Sequence, residues 1–308
     1  MRVLYNSNAG SAEDEAIETL RAVPGLDLVE CESPEDTIAA AADAAHAGTE
    51  VVVAAGGDGT VHLAANGLMQ AGTDARTRPA LGVLPLGTGN DFARTLGLPL
   101  GTDPLAALDA LRRADRRTID VIRVTHDGDE DHTGVAINVC AGGFSGAVDE
   151  TLTSELKETW GPLAYLIGAV KTLPDLDDYD TRVAWDRGPE EPLAAFNVVV
   201  ANGRTAGGGT LVAPRADPSD GLLDVVVVER GADVVRLATA IAAGSDYLDF
   251  DGVTYNRVSS VCISSTPGMW FNVDGELRTN VPVTFEAVPS ALRVCVGPEP
   301  PPGEEGWR

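Results

Sequence analysis

Two glycine-rich loops constrain the fold of this chain most strongly, because each directly follows an apolar run typical of a buried β-strand. The first loop covers residues 56–60 (Gly-Gly-Asp-Gly-Thr) after the run at 51–55, and the second covers residues 85–94 after the run at 80–84. A strand-to-helix junction built of small residues exposes backbone N–H groups and the positive end of the helix dipole, which suits a phosphate. Two such loops about 30 residues apart predict neighbouring crossover units whose loops meet over one nucleotide.

Strand and helix signals alternate over roughly the first 115 residues, which predicts a parallel β-sheet covered by helices on both faces. Later, short strands separated by Gly, Pro and Asp turns predict an antiparallel β-sandwich, with two helices near residues 147–159 and 163–173. We therefore expect an α/β domain over residues 1–118 and a β-rich domain over residues 119–297. A disordered, acidic tail is expected over residues 298–308.

Acidic side chains dominate the charge of the chain. Asp and Glu total 47 against 22 Lys and Arg, the formal net charge is −25, and the only lysines are Lys157 and Lys171. Such a chain repels nucleic acid and anionic membranes at low salt, so no nucleic-acid partner is expected. We interpret the composition as a solvated surface adapted to molar salt, as in halophiles, where the Debye length is roughly 3 Å. The alternative is an ordinary acidic protein with an acidic interaction face.

The remaining composition favours a cytoplasmic protein. The four cysteines lack CxxC spacing, which predicts reduced, buried thiols rather than disulfides or a zinc site. The first six residues read as a strand and not as a signal peptide. No apolar run reaches the ~20 residues that span a bilayer, so we expect no transmembrane segment.

Asp58 lies among the glycines of the first loop, and its carboxylate is the group in that loop with a possible chemical role. The glycines let the backbone approach a phosphate without a Cβ in the way, and Thr60 is placed to cap the following helix. Because a carboxylate repels a phosphate, Asp58 must bind Mg²⁺, contact a ribose or accept a proton. The alternative is a structural turn that needs glycine. The first loop is neither GxGxxG nor a P-loop, and taken alone it leaves both interpretations open.

The second loop makes a nucleotide-phosphate site the favoured hypothesis. Pro85 ends the strand, and Gly87 and Gly89 open the turn. Asn90 and Asp91 then supply a cap and polar side chains at the start of the next helix. Because lysines are so few, the charge of a phosphate must be met by backbone N–H groups, by Mg²⁺ and by arginines.

Each of two short acidic motifs in the second half of the sequence predicts either a chemical site or a tight turn. Residues 217–222 (Asp-Pro-Ser-Asp-Gly-Leu) combine two carboxylates with the carbonyl of Leu222, which are hard oxygen ligands for Mg²⁺, but the same residue types build any tight turn. The motif Asp274-Gly275-Glu276 follows an apolar run. A carboxylate at a strand end can take the proton from an attacking hydroxyl, and Asp-Gly is equally a hairpin signal. The residues alone leave these alternatives open.

Taken together, the motifs resemble the catalytic-domain family of diacylglycerol kinases, which also includes sphingosine kinases and bacterial lipid kinases. The second loop is similar to the family pattern Pro-x-Gly-Thr-x-Asn-Asp-Phe-Ala-Arg almost residue for residue. The first loop, with Asn-Gly-Leu at 66–68, resembles the family's Gly-Gly-Asp-Gly-Thr…Asn-Gly-Leu block. Further similar segments make the resemblance span nearly the whole chain: residues 6–10, 138–146, 202–224 and 274–276.

This resemblance implies an ATP-dependent lipid kinase that uses ATP and Mg²⁺. The implied fold is an α/β nucleotide-binding domain of the NAD-kinase and diacylglycerol-kinase type followed by a β-sandwich domain, with the active site in the cleft between them. Glu276 is the implied general base, Asp58 is its rival, and Asp91 orders the nucleotide–metal end. The implied Mg²⁺ ligands are Asp217, Asp220 and Leu222. The implied nucleotide-binding residues are Asn6, Gly10, Gly56, Gly57, Asp58, Gly59, Thr60, Gly87, Thr88 and Asn90.

The implied acceptor is a lipid alcohol at the membrane surface: a diacylglycerol-like lipid, an ether lipid given the halophile interpretation, or a sphingoid alcohol. The protein would then attach peripherally to the membrane, and a homodimer is left open because family members often pair. Two other functions also stay open. NAD kinases share the first loop but lack the long second motif. A nucleotide- or lipid-sensing protein with weak activity is favoured by Leu63, which stands where the family usually carries Glu.

Overall fold

The computed structural model describes residues 1–6, 11–72, 76–101, 103–126, 129–143, 179–278 and 282–298. Gly10, the two helices expected near 147–159 and 163–173, and the expected tail after residue 298 lie outside these ranges. The chain divides into two compact units. The first unit comprises Met1–Val121 with Pro289–Arg308, and the second comprises Ile122–Val288.

The first unit is an α/β fold with a parallel sheet. Strands β1, β2, β3 and β4 lie in the order β2-β1-β3-β4, and all of these pairs are parallel, as the alternating sequence pattern predicts. The elements are β1 (Arg2–Asn6), α1 (Ser11–Arg21), β2 (Asp27–Cys31), α2 (Pro34–His46), β3 (Val51–Gly56), α3 (Asp58–Gln70), β4 (Ala80–Pro85), α4 (Asp91–Thr95), α5 (Pro104–Arg113) and the start of β5 (Asp115–His126).

Local sequence signals explain why the helices begin where they do. Ser33 and Asp36 form a reciprocal capping box at the start of α2, with Pro34 in the first turn. The carboxylate of Asp103 accepts two backbone N–H groups at the start of α5. Helix α3 packs against α2 at Gly67, where an added Cβ would lie only 2.2 Å from the carbonyl oxygen of Ile38. The Asn-Gly-Leu motif therefore contains a helix-crossing glycine.

The second unit is an antiparallel β-sandwich. One sheet runs β14-β13-β10-β7-β16-β17, and the other carries β15, β8, β9 and the first residues of β18. The elements are β6 (Asp129–Ala136), β7 (Val139–Gly143), β8 (Asp180–Trp185), β9 (Glu191–Leu193), β10 (Ala195–Ala201), β11 (Thr205–Ala206), β12 (Thr210–Leu211), β13 (Leu223–Glu229), α6 (Val234–Ala242), β14 (Val253–Val258), β15 (Ser260–Thr266), β16 (Phe271–Val273), β17 (Glu276–Arg278) and β18 (Val283–Val296).

Both faces of the first of these sheets are covered, which explains the uninterrupted valines of β13. Val225 and Val227 point into the sandwich core, where Phe271 packs on Phe285 with ring centroids 5.3 Å apart. Val226 and its neighbours on the opposite face pack under α6 and the residues that follow it. A strand buried on both sides reads as a continuous apolar run and loses the alternation of a half-exposed strand.

The division between the units differs from the expected domain boundaries at the C-terminus. It falls inside two strands, β5 and β18, so that residues 289–297 group with the first unit and not with the sandwich. Val294 pairs in parallel with Leu81 of β4, and Arg78 donates a hydrogen bond to the carbonyl of Ala291. Sequence patterns report a strand but not its partner, which is why the return of the chain to the first sheet was not predicted.

Two further findings concern membranes and thiols. None of the described helices is long and apolar enough to cross a membrane. All four cysteines are free; Cys31, Cys140 and Cys295 are buried, and Cys262 is half-buried.

Candidate functional site

The two glycine loops touch each other through their backbones. A Cβ added at Gly87 would lie 2.4 Å from the Cα atom of Gly57, and real Cβ atoms do not approach backbone so closely. The backbone N–H of Leu86 donates to the carbonyl of Gly56 at 3.2 Å. The prediction that the loops meet is confirmed, and at Gly87 glycine is required for this contact between the loops.

Asp58 fastens one loop to the other. Its Oδ2 accepts the backbone N–H of Asp91 at 3.1 Å, and its Oδ1 accepts that of Phe92 at 3.0 Å. These are donors at the start of α4, where a helix has no partners of its own. The first-loop carboxylate therefore caps the helix of the second loop, and any chemical role of Asp58 must coexist with these two bonds.

Of the two caps predicted from local sequence, the one at Thr60 is wrong and the one at Asn90 is confirmed in position only. Helix α3 begins at Asp58 with Gly57 as its N-cap, and no side chain caps it, so Thr60 lies inside the first turn. Asn90 is the N-cap residue of α4 but makes no side-chain cap bond. It adopts a left-handed conformation with φ of 54°, and its Nδ2 donates to the carbonyl of Gly87 at 2.5 Å. Asn90 therefore shapes the second loop from within.

The outer side of the first loop is open. Gly59 is exposed, and a Cβ added there meets nothing within 4 Å, whereas one at Gly56 would lie 2.5 Å from Oγ1 of Thr60. Thr88 is exposed, and Asp91 is buried. Gly56 and Gly87 are therefore explained by packing within the protein, whereas a Cβ at Gly57 would make only an ordinary contact, 3.4 Å from the Cα atom of Gly87. Gly59 is not explained in this way.

Asn6 and Leu63 belong to the same unit. Asn6 is exposed at the end of β1. Leu63 is half-buried on α3, one turn after the open start of the helix. The remaining member of the predicted nucleotide-binding set, Gly10, lies outside the described residues.

In the second unit, the motif at 274–276 forms the hairpin between β16 and β17. Asp274 and Gly275 are the turn, both with positive φ (48° and 101°), and Val273 pairs with Glu276 across the hairpin. This is the two-residue turn that Asp-Gly favours. The hairpin interpretation is therefore confirmed, and it places the backbone of Glu276 at the first position of the returning strand.

Asp274 does more than turn the chain. Its carboxylate accepts three consecutive backbone N–H groups: Ile137 at 2.7 Å, Asn138 at 3.1 Å and Val139 at 3.0 Å. Sequence reasoning missed this role, because the partners lie more than 130 residues earlier in the chain. The available signal was weak: position 274 carries Asp, although Asn would form the same turn.

Two other motifs of the sequence meet at the same backbone segment, residues 137–139. The side chain of Asn202 donates to the carbonyl of Ile137 at 3.0 Å, and the backbone N–H groups of Asn202 and Gly203 donate to the carbonyl of Asn138 at 2.8 and 2.9 Å. The side chain of Asn138 donates to the carbonyl of Thr205 at 2.9 Å. Three separated motifs thus form one hydrogen-bonded junction.

The turn at 217–222 forms internal bonds. Oδ1 of Asp217 accepts from the N–H and the hydroxyl of Ser219, and Oδ1 of Asp220 accepts from the N–H of Leu222. Oδ2 of Asp220 pairs with the guanidinium of Arg257. The described residues contain no group of three His, Cys, Asp or Glu side chains arranged to hold a metal ion. The predicted magnesium ligands at Asp217, Asp220 and Leu222 are two carboxylates and one backbone carbonyl, a different kind of set, and this site stays a prediction.

The neighbouring Asp224 is an unusual buried carboxyl. It is 1% exposed, its Oδ1 accepts from the Tyr255 hydroxyl, and burial raises its pKa to about 6. Its Oδ2 is buried without a hydrogen-bond partner in the described part of the chain. Arg257 lies 4.0 Å from Oδ1 of Asp224 and pairs with Asp220. One arginine therefore occupies the place between these two carboxylates.

Comparisons with known proteins cover both units. Residues 1–124 match the diacylglycerol kinase catalytic domain family, and residues 138–296 match the YegS C-terminal NAD kinase beta sandwich-like domain. A relative named "Probable lipid kinase YegS-like" from Xanthomonas euvesicatoria pv. vesicatoria is 35% identical over 309 residues, 97% of each chain. "Diacylglycerol kinase" from Staphylococcus saprophyticus is 30% identical over 292 residues, 92% of this chain and 91% of that relative.

A solved structure described as a diacylglycerol kinase from Bacillus anthracis str. Sterne has the same fold. It gives a TM-score of 0.70 at 21% identity and covers 96% of each chain. An α/β domain with paired glycine loops, joined to a β-sandwich, defines a kinase-type phosphotransferase of the diacylglycerol-kinase and NAD-kinase fold. The chain belongs to the diacylglycerol kinase catalytic domain family and carries a C-terminal domain of the YegS type.

Proposed function

We propose that this protein is an ATP-dependent lipid kinase. It transfers the γ-phosphoryl group of MgATP to the hydroxyl of a diacylglycerol-like, ether-lipid or sphingoid alcohol. The observation that carries the proposal is the open first turn of α3 at Gly59, which has no side chain, beside a second loop that packs against the first. The names of the relatives, lipid kinase and diacylglycerol kinase, support the same activity.

Backbone donors suit the nucleotide phosphates in this chain. The first N–H groups of α3 have no partners within the helix, and the helix dipole favours an anion there. Because Gly59 has no Cβ, a phosphate can approach these groups closely. The side chains of Thr88 and Arg94 are exposed on the second loop and in α4 and are available for further contacts. With only two lysines in the sequence, most of the phosphate binding must come from such groups.

The chemical step needs a base for the acceptor hydroxyl. Glu276 takes the proton while the hydroxyl oxygen forms a bond to the γ-phosphorus, and the bond from that phosphorus to the β–γ bridging oxygen breaks to release ADP. The two cap bonds of Asp58 favour Glu276 over Asp58 as the base, since both oxygens of Asp58 already accept backbone N–H groups. Asp91, buried in the first turn of α4, orders the nucleotide–metal end.

The metal in this scheme arrives with the substrate as MgATP. It spreads the charge that develops on the transferred phosphoryl group. A separate resident magnesium at Asp217, Asp220 and Leu222 would have to displace Arg257 from Asp220, and no step here depends on it.

Reaching the acceptor requires contact with a membrane surface, and the net charge of −25 opposes contact with anionic lipid. Molar salt, as in the halophile interpretation, screens that repulsion. We propose a cytoplasmic protein that attaches peripherally at high salt. A homodimer, which family members often form, belongs to the same proposal.

The function is tested by an acceptor panel with labelled ATP in molar KCl. Dispersed diacylglycerol, an ether-lipid analogue, a sphingoid base and NAD are offered separately. We expect labelled lipid and no labelled NADP. Labelling of NAD alone would favour a soluble-acceptor kinase. Tight ATP binding with no turnover of any acceptor would favour a sensing protein, which is the second candidate because Leu63 replaces the usual Glu.

Gly59→Ala tests the phosphate site separately from the fold. The new Cβ meets no protein atom, and alanine in a helix is favoured over glycine by up to about 1 kcal/mol, so stability should stay equal or rise. The same Cβ should hinder a phosphate at the helix start and raise the Kd for ATP about tenfold or more. Thermal unfolding and calorimetric titration with ATP measure the two effects. Unchanged ATP affinity would place the nucleotide elsewhere.

A further inference from the structure

The hairpin that carries Glu276 is held by an unusual anchor. A single carboxylate, that of Asp274, accepts three successive backbone N–H groups from Ile137, Asn138 and Val139 at 2.7 to 3.1 Å. Hydrogen bonds to an ionised acceptor are roughly twice as strong as neutral ones. The backbone of Asp274 adds a fourth link in the opposite sense, since its N–H donates to the carbonyl of Val139 at 3.1 Å.

The backbone segment that Asp274 contacts, residues 137–139, is itself held by other hydrogen bonds. Asn202 and Gly203 hold residues 137–139 through the carbonyl oxygens, so the segment is bonded through both its N–H and C=O groups. The turn is also closed within itself, because the N–H of Gly275 donates to Oδ1 of Asn272 at 2.7 Å. The carboxylate of Asp274 therefore connects two backbone segments that are each held by further hydrogen bonds. Movement of one segment relative to the other is restricted.

Glu276 follows the anchor by two residues and pairs with Val273 across the turn. A shift of the turn on residues 137–139 would shift the backbone of Glu276 by a similar amount. We propose that Asp274 is the positioning residue for Glu276: its carboxylate sets where the hairpin lies and thus holds the base at its working distance. This inference rests on the proposed function, in which Glu276 is the base.

Asp274→Asn separates anchoring from turn formation. Asn-Gly is at least as good as Asp-Gly in this type of turn, so the hairpin itself should persist. The amide loses the negative charge, and its NH₂ group turns a donor towards at least one of the three N–H groups. Asp274→Ala removes all three bonds.

The chain offers a matched control at Asp186. This residue also has a positive φ (47°), and its Oδ1 accepts the backbone N–H groups of Ser259 at 2.7 Å and Ser260 at 3.1 Å. The hydroxyl of Ser259 also donates a hydrogen bond to this carboxylate. That bond, together with the two backbone bonds, holds the pKa of Asp186 below its usual range. The segment that it anchors carries none of the proposed site residues. All of these bonds end on a single oxygen, which Asn would keep, so Asp186→Ala is the variant that removes the anchor, and it is the control for Asp274→Ala.

The experiment measures kcat, the KM for ATP and backbone deuterium exchange in the full chain. For Asp274→Asn we expect faster exchange at residues 137–139, a kcat about tenfold lower and a KM for ATP within twofold of the wild type. For Asp274→Ala we expect kcat to fall about 10²-fold, the order of loss for a misplacement near 1 Å. Asp186→Ala should speed exchange at residues 259–260 and leave kcat unchanged.

The double variant decides whether Asp274 acts through Glu276. If it does, adding Asp274→Asn to Glu276→Gln causes no further loss of the residual rate, because coupled residues are not additive. A further tenfold loss in the double variant would overturn the inference. So would unchanged kcat in Asp274→Asn despite faster exchange at residues 137–139. A wild-type rate in Glu276→Gln alone is a different result, because it removes the base assignment itself.

Discussion

Glu276→Gln should lower kcat with the lipid acceptor by 10²- to 10⁴-fold, the usual contribution of a general base. Gln has nearly the same shape but cannot take a proton. The substitution lies on a strand of the second unit, whereas the proposed phosphate contacts belong to the first. The KM and Kd for ATP should therefore stay within about twofold. Steady-state kinetics with labelled ATP and isothermal titration provide the two measurements.

The pH dependence of the rate gives an independent check on Glu276. In the wild type, kcat should fall on the acid side as the base becomes protonated and recover as the pH rises. In Glu276→Gln the residual rate should lose this acid limb. If the limb persists with an undiminished rate, another group is the base.

Asp58→Asn is the matched comparison, because Asp58 is the rival base. An Asn side chain can keep one of the two cap bonds to α4 and must lose the other. We expect a loss of stability of about 1 kcal/mol, the usual cost of a weakened cap, and weaker ATP binding because the second loop is loosened. The acid limb should remain. Loss of the limb here, but not in Glu276→Gln, would reverse the two roles.

The sequence predicts the first unit well because the relevant signals are local. Parallel strands linked by helices place their carboxyl ends on one edge of the sheet, so loops after β3 and β4 must be neighbours. The glycines indicate where those loops cannot tolerate a Cβ, and Gly87 is such a position. Likewise, Asp-Gly between two apolar runs predicts the hairpin at Asp274.

What the sequence does not predict is which distant groups a side chain will choose. Asn90 is a good N-cap by preference, yet the α4 donors are taken by Asp58, 33 positions earlier. Asp274 reaches N–H groups about 136 residues away. Asp220, a predicted metal ligand, pairs with Arg257, 37 positions later. Each is a tertiary contact that overrides a local preference, and a single sequence carries at most a weak signal for it.

Gly87→Ala should have a large effect on stability and nucleotide binding together. Gly87 does not adopt a positive φ, so alanine costs nothing in backbone conformation, and the whole effect comes from the clash at 2.4 Å with the Cα atom of Gly57. Backbone cannot rotate out of the way as a flexible side chain can. Overpacking of this kind costs about 1–3 kcal/mol, and relief of the clash must push the two loops apart.

Separation of the loops has a consequence beyond stability, because Asp58 spans them. When the second loop moves, the two bonds from Asp58 to the start of α4 lengthen. ATP binding should therefore weaken by more than tenfold even at temperatures where the variant stays folded. Gly59→Ala is the control, since it should weaken ATP binding without loss of stability. Wild-type stability and ATP affinity in Gly87→Ala would mean that the loops are not in contact in solution.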